Sequence, residues 1–336
     1  MNPKSAWSLL LAACRKWKFE PHDIAAQLDA QGRYDVELAP DFPLLIKRFH
    51  YTSRQHTRGA TWHDRLELFL PLDGPVRFRM GDHTVSLDPG DLLVVENLKL
   101  HHVVDFTGFD TRVLVVSFRP EFVYSLGSPT ADYTFLLPFY TTLDRKPHVL
   151  RLGDPASAEA YVAMTRLIEC FFGGESRQFV QAGSKVYLME LLFHLARRFR
   201  ASDLLKWEFE RQQQRSLRFK PVFEHIQNHS AEKLPVTTAA RMVALSPGAF
   251  TKAFKQVAGM TLVGYLNQVR LAHAARLLRE TGRTVAEIAA EVGFSDQSYF
   301  DRRFKAALGQ TPQMFRRRFE ASAGVPLRAE PEKKKK

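Results

Sequence analysis

One pattern occurs twice in the C-terminal third of the chain, and it constrains the fold more than any other feature. Residues Ala239 to Gly259 read AARMVALSPGAFTKAFKQVAG, and Ala289 to Gly309 read AAEVGFSDQSYFDRRFKAALG, a repeat at an offset of fifty residues. Ala240 falls against Ala290, Phe250 against Phe300, Phe254 against Phe304 and Lys255 against Lys305. Each copy holds small residues where helices can touch, then a turn, a polar capping residue and an amphipathic stretch. That order describes a helix-turn-helix. In the second copy the parts are Thr284 to Val292, a turn at Gly293, a cap at Ser295 and a second helix from Gln297 to Leu308.

Phe300 and Phe304 lie four residues apart, so they share one helical face and bury it, which turns Gln297, Ser298, Asp301 and Arg302 outward. Outward polar side chains of this kind are what reading a DNA major groove requires. Charge points the same way. Residues 211–336 hold 23 Lys and Arg against 10 Asp and Glu, a net of +13, which leaves −1 of the total +12 for the first 210 residues. Clustered cations attract a phosphate polyanion, whereas dispersed ones only keep a protein in solution.

The same region resembles the AraC/XylS family. Gly259-Met260-Thr261, Tyr265-Leu266, Val269-Arg270-Leu271, Ala274 and Leu277-Leu278 match its linking helix. Glu287-Ile288-Ala289, Val292-Gly293-Phe294, Gln297-Ser298-Tyr299-Phe300, Phe304-Lys305 and Thr311-Pro312 through Phe315-Arg316 match its second unit. The resemblance covers Phe219 to Arg318. It implies a transcription regulator whose two recognition helices are held on one long helix, Leu262 to Glu280, and enter successive major grooves of double-stranded DNA. By alignment the DNA-facing positions are Gly248, Thr251 and Lys252 in the first unit, and Ser295, Gln297, Ser298, Tyr299 and Arg302 in the second. Arg302 suits guanine and Gln297 adenine, although Arg302 and Lys252 would serve equally as phosphate contacts. Two departures weaken the first unit as a reader: Ala244 stands where a turn glycine is common, and Gly248 offers no side chain to a base.

The N-terminal half has a different period. Leu66, Leu68 and Leu70, then Val76, Phe78 and Met80, alternate as in strands, broken by Asp73-Gly74-Pro75, Gly81-Asp82 and Asp88-Pro89-Gly90. Short antiparallel strands so closely spaced predict a small barrel or jelly roll. Trp62-His63, the run from Leu66 to Leu70, Leu87-Asp88-Pro89-Gly90-Asp91 and His101-His102 resemble the cupin domain that many AraC-type regulators carry. That resemblance implies a pocket for a small-molecule effector such as a sugar or small carboxylate, with His63, Arg65, Glu67 and His102 as the polar residues lining it. In metal-binding cupins, histidines and a glutamate on one strand face join a later histidine around a divalent ion. Arg65 takes the place of one such ligand, and a guanidinium beside a cation site is unfavourable. No metal site, cofactor or catalytic residue is therefore assigned. A metal-dependent enzyme with a fused DNA-binding tail, and a DNA-binding protein without any ligand, are the competing readings.

These patterns give an α+β multidomain chain: an N-terminal helical or irregular segment (1–40), a cupin-like antiparallel β-barrel (41–156), a helical dimerisation segment (157–207) and a linker (208–218). A double helix-turn-helix domain (219–320) and a basic tail (321–336) follow. The expected partners are double-stranded DNA, RNA polymerase, an effector and a second copy of the chain, with activation as the family's habit. Cys14 and Cys170 form neither a disulfide framework nor a zinc spacing, which favours a reducing compartment. The run Trp7 to Ala13 before Cys14 resembles a lipoprotein export signal, but Arg15, Lys16 and Lys18 follow at once and suit an amphipathic helix. The expectation is a cytoplasmic protein with no membrane partner.

Overall fold

The computed structural model describes residues 1–21, 38–39, 41–51, 63, 65–96, 100–105, 110–124, 130–140, 146–199, 206–258, 260–308 and 310–323. Among them the chain forms two compact units that divide after Lys220. In the first unit, helix α1 (Pro3–Arg15) precedes β1 (Glu20–Pro21), β2 (Leu44–Tyr51), β3 (Leu66–Pro71), β4 (Val76–Met80), β5 (His83–Leu87), β6 (Leu92–Val95), β7 (His101–Asp105) and β8 (Thr111–Phe118). The short α2 (Leu137–Tyr140), β9 (Val149–Leu150) and the longer α3 (Ser157–Phe172) and α4 (Arg177–Phe199) complete it. The strands form one sheet in the order β1-β2-β8-β3-β6-β9 and a second in the order β5-β4-β7.

Strand β3 is central and buried on both faces. Leu66, Leu68 and Leu70 join Ile46, Leu114 and Val116 in a core shared with α1, α3 and α4. Phe69, on the other face, joins Leu93, Val113 and Val115 against Val76, Phe78 and Met80 of the smaller sheet, with the Phe69 and Phe78 rings 4.9 Å apart. The expected antiparallel β-domain is thus two facing sheets with helices behind the larger one, and among the described residues no ladder joins the two sheets into a closed barrel. Gly90, at φ 93°, makes the turn into β6, and its carbonyl accepts a hydrogen bond from Tyr161 Oη of α3.

The N-terminal apolar run lies in this core. Asn2 caps α1 by accepting from Ser5 N at 2.8 Å, and Ala6, Trp7, Leu10, Ala13 and Cys14 are buried, with Trp7 packed 5.4 Å from the Tyr161 ring. Burial pushes the Cys14 thiol up to about 11, against the opposing pull of Arg112 and Arg48. No helix among the described residues is long and apolar enough to cross a membrane.

Residues 208–218, expected as a linker, are helical: α5 runs from Lys206 to Asn228. The glutamines, glutamates and arginines that deny this stretch an apolar stripe are themselves good helix formers. The second unit continues with α6 (Val236–Met242), α7 (Pro247–Ala258), α8 (Leu262–Glu280), α9 (Val285–Glu291), α10 (Gln297–Leu308) and α11 (Pro312–Ala323). Phe223 of α5, Phe254 of α7 and Tyr265 of α8 form one aromatic cluster with ring centroids 5.1 to 5.8 Å apart. The basic tail lies, from residue 324 on, outside the described residues.

Candidate nucleic-acid interface and buried polar cluster

Both helix-turn-helix units form where the repeat places them, with one correction to their alignment. Leu245 N donates to Ala240 O at 2.9 Å, and Phe294 N donates to Ala289 O at 2.9 Å. The first helices therefore superpose Ala240 on Ala289, one residue short of the fifty-residue offset that holds for Phe250 and Phe300. Ser295 is the additional residue of the second copy. It was expected to cap α10, but Asp296 does so, accepting from Tyr299 N at 2.5 Å. Ser246 caps α7 in the same way, accepting from Ala249 N at 3.3 Å.

The two turns solve one problem differently. Ala244 adopts φ 47° and Gly293 φ 94°, so the place vacated by glycine in the first unit is filled by an alanine in the left-handed region. A side chain at Gly293 would meet the backbone as well: its Cβ would lie 2.3 Å from the Ala231 carbonyl oxygen. The same segment is gripped by Arg270 of α8. Its Nε donates to Ser230 O at 2.6 Å and an Nη to Glu232 O at 2.8 Å, while the guanidinium lies 5.8 Å from the Phe294 ring. Arg270 thus satisfies carbonyls left over beyond the C-terminus of α5.

Phe250 and Phe254 of α7, and Phe300 and Phe304 of α10, are fully buried. Gly248, Thr251, Lys252, Ser295, Gln297, Ser298 and Arg302 are all exposed. Thr251 Oγ1 donates back to Pro247 O at 2.9 Å, whereas Lys252, Gln297, Ser298 and Arg302 have no side-chain bond among the described residues. Tyr299 is different: its hydroxyl accepts from Asn267 Nδ2 of α8 at 3.2 Å, and its ring lies 6.0 Å from Phe294. Asp301, expected to face outward, is half buried, and burial raises its carboxyl.

In the first unit, three of the four polar residues read from the sequence come together, and the fourth is replaced by its neighbour. Glu67 lies between the sheets on the Phe69 face of β3, opposite Ser117 of β8. Its Oε1 accepts from Arg65 Nε at 2.9 Å and from Ser117 Oγ at 2.7 Å. Its Oε2 lies 3.1 Å from His63 Nε2 and 3.8 Å from His101 Nε2. The two imidazoles meet edge to face at 4.6 Å, and His101 stacks on Phe78 at 5.9 Å. All four residues are at most 8% exposed. Burial alone would raise the Glu67 carboxyl, but His63 and Arg65 outweigh it and hold the group well below the usual range. His102 is on the other face of β7, opposite Arg79, where burial and that guanidinium push its imidazole down to about 4.

Comparison with known proteins matches both halves. Residues 44–192 fit the family model of an AraC-like ligand binding domain, and residues 239–318 that of a helix-turn-helix domain. The chain belongs to the AraC/XylS family. Like the relatives it matches, this regulator is a DNA-binding transcription regulator and not an enzyme. It is 24% identical over 280 residues to the uncharacterized HTH-type transcriptional regulator YdeC of Bacillus subtilis (strain 168), spanning 82% of this chain and 92% of YdeC. The HTH-type transcriptional activator RhaR of Yersinia pseudotuberculosis serotype O:1b (strain IP 31758) is 42% identical over 78 residues, 23% of this chain and 27% of RhaR. The crystal structure of ToxT from Vibrio cholerae O395 covers 84% of this chain and 99% of its own at 11% identity, with a TM-score of 0.45, too distant a likeness to carry residues across.

Sequence reasoning missed three residues of the regulator. His101 was passed over for His102 because two adjacent histidines cannot be told apart without the register of β7, which pairs with β4 through a shift between Arg77 and Phe78. Ser117, a lone hydroxyl in the apolar run of β8, carried a signal that its pairing with Glu67 now explains. Arg270 appeared only as part of the family pattern, and its buried position on α8 gives that arginine a structural task.

Proposed function

We propose that the regulator binds specific double-stranded DNA by placing α7 and α10 in two successive major grooves, about 34 Å apart along the duplex. The observation that carries this reading is the division of faces on the two helices: paired phenylalanines are buried, while Lys252, Gln297, Ser298 and Arg302 are exposed and have no side-chain bond among the described residues. Arg302 reads guanine and Gln297 adenine, with Ser298 beside them, while Tyr299 and Ser295 support the approach. Thr251 and Lys252 act in the first unit, and Gly248 lets the backbone come close to the DNA. Selection of bound sequences from a random duplex pool, at a stated salt concentration, tests this directly. Two short motifs one helical turn apart are expected, and the absence of any enriched motif would overturn it.

A small-molecule effector, such as a sugar or small carboxylate, is held between the two sheets of the first unit by His63, Arg65 and Glu67, with His101 in the role first given to His102. Its binding changes DNA affinity only to the extent that it favours one arrangement of the protein over another. The regulator works as a cytoplasmic homodimer and contacts RNA polymerase as an activator. The dimer is supported by Phe179, Val186 and Phe193 of α4, which are 71%, 61% and 45% exposed and spaced seven residues apart, so that they line one stripe. Sedimentation of the purified chain tests it: a monomer at micromolar concentration would remove the dimer from this reading.

A further inference from the structure

The contact between His63 and Glu67 is chemically incomplete as it stands. His63 Nδ1 lies 2.9 Å from the Arg65 carbonyl oxygen, which only accepts, so Nδ1 carries the proton. In the neutral ring Nε2 then presents a lone pair, and it is directed at a carboxylate oxygen 3.1 Å away. Two acceptors facing each other in a buried site need a cation between them. That cation is a second proton on Nε2 or a metal ion, and the number of donors gathered at the point favours the metal. A third donor converges on the same point: His101 Nε2 is 3.8 Å from the same Glu67 oxygen, and all three donor atoms lie within 4.8 Å of one another.

We infer that His63 Nε2, Glu67 Oε2 and His101 Nε2 hold one divalent transition-metal ion. Two imidazoles and one carboxylate form a set that suits iron, nickel, cobalt or zinc and leaves coordination positions open. Donors on a single ion at about 2.1 Å each are at most about 4.2 Å apart; the 3.1 and 3.8 Å separations fall inside that limit, and the two imidazole nitrogens, within 4.8 Å of each other, close by at most about 0.6 Å to meet it. The supporting contacts are those a metal site needs. The Arg65 carbonyl fixes the His63 tautomer, and Phe78 holds the His101 ring by stacking. Arg65, which argued against a metal in the sequence, is not among the converging donors: its guanidinium and Ser117 occupy Oε1, leaving Oε2 to the imidazoles. Its charge still opposes the ion's, so the site is expected to be weaker than one with a third histidine.

The site lies where the effector is proposed to bind, but it is read without effector or DNA, so its failure leaves effector control standing. Full-length protein stripped with a chelator is titrated with Co²⁺ alone and followed by visible absorption, with Zn²⁺ displacement as a check. One equivalent is expected, with the spectrum lost in His63→Ala and His101→Ala, affinity lowered about 10–100-fold in Glu67→Gln, and no change in His102→Ala. Circular dichroism reports whether each variant folds. Should the alanine variants unfold, pulsed electron paramagnetic resonance of Cu²⁺-loaded wild type decides the matter, with two imidazole nitrogens expected. No stoichiometric binding, a spectrum unchanged in both folded histidine variants, or coordination without two imidazoles would overturn the site.

Discussion

The two turns make a matched pair of opposite predictions. At Gly293 an added methyl group meets two penalties: φ is 94°, a region that alanine rarely enters, and the new Cβ would lie 2.3 Å from the Ala231 carbonyl oxygen. The backbone penalty is about 1–2 kcal/mol, and forcing a rigid neighbour aside costs a further 1–3 kcal/mol or so. Gly293→Ala should therefore destabilise the DNA-binding unit by roughly 2–5 kcal/mol. Ala244, exposed and at φ 47°, carries only the backbone penalty. Glycine there recovers about 1–2 kcal/mol and loses about 0.5–1 kcal/mol in unfolded-state entropy, a net gain of up to roughly 1.5 kcal/mol. Calorimetry of the intact protein should show the DNA-binding transition falling by at least about 10 °C in Gly293→Ala and rising by a few degrees in Ala244→Gly. Hydrogen exchange at the α9 and α10 amides assigns the transition. A Gly293→Ala protein that melts within about 2 °C of wild type would refute the close approach of the two backbone segments.

Arg270→Met keeps much of the side-chain volume but leaves the carbonyls of residues 230 and 232 without their donor, and at about 1.5–3 kcal/mol per charged hydrogen bond it should cost roughly 3–6 kcal/mol in denaturant unfolding. Arg302→Ala should weaken DNA binding by about 1–3 kcal/mol and relax preference at one base pair; equal weakening on every sequence would make it a phosphate contact. Lys252→Ala should lower the slope of log affinity against log salt by about 1 if it meets a phosphate. At pH 8 iodoacetamide should label half-buried Cys170 well before Cys14, since the raised Cys14 pKa leaves almost no thiolate and α1 packing excludes the reagent; mass spectrometry reads the order.

The helical unit was legible because its determinants are local. Phe250, Phe254, Phe300 and Phe304 announce their face by spacing alone, and Gly293 announces its turn as the residue that enters the left-handed region without a backbone penalty. The extra residue at Ser295 was not legible: one insertion in a turn leaves helical periodicity on either side intact, and only the hydrogen bonds from Leu245 and Phe294 reveal it. The β-domain was legible as alternating strands, but the alternation of Leu66, Leu68 and Leu70 identified one buried face of β3 and concealed the other. The Glu67 cluster could be read only in part, because a strand's sequence says which residues share a face but not which strand lies opposite. The first half of α5 escaped because its charged and amide side chains, good helix formers, show no apolar stripe in the sequence; the stripe of Phe219, Phe223 and Ile226 begins only in the second half.

The arrangement of the second unit separates what folds it from the positions proposed to touch DNA. One crossing point ties the helices together beside the apolar core: residues 230–232, after α5, receive Arg270 from the long helix and are approached by Gly293 from the turn between α9 and α10. Tyr299 belongs partly to this framework through Asn267, although it sits among the expected DNA-facing positions. Gln297, Ser298, Arg302 and Lys252 lie outside it, since their side chains form no bond among the described residues. Substitution at those four positions is therefore expected to leave the fold intact, so that the proposed reading of DNA can be tested there without a stability effect. A substitution at Arg270 or Gly293 would instead remove DNA binding by loosening the unit as a whole. Loss of DNA binding in a variant is thus informative about recognition only when the stability of this unit is measured beside it.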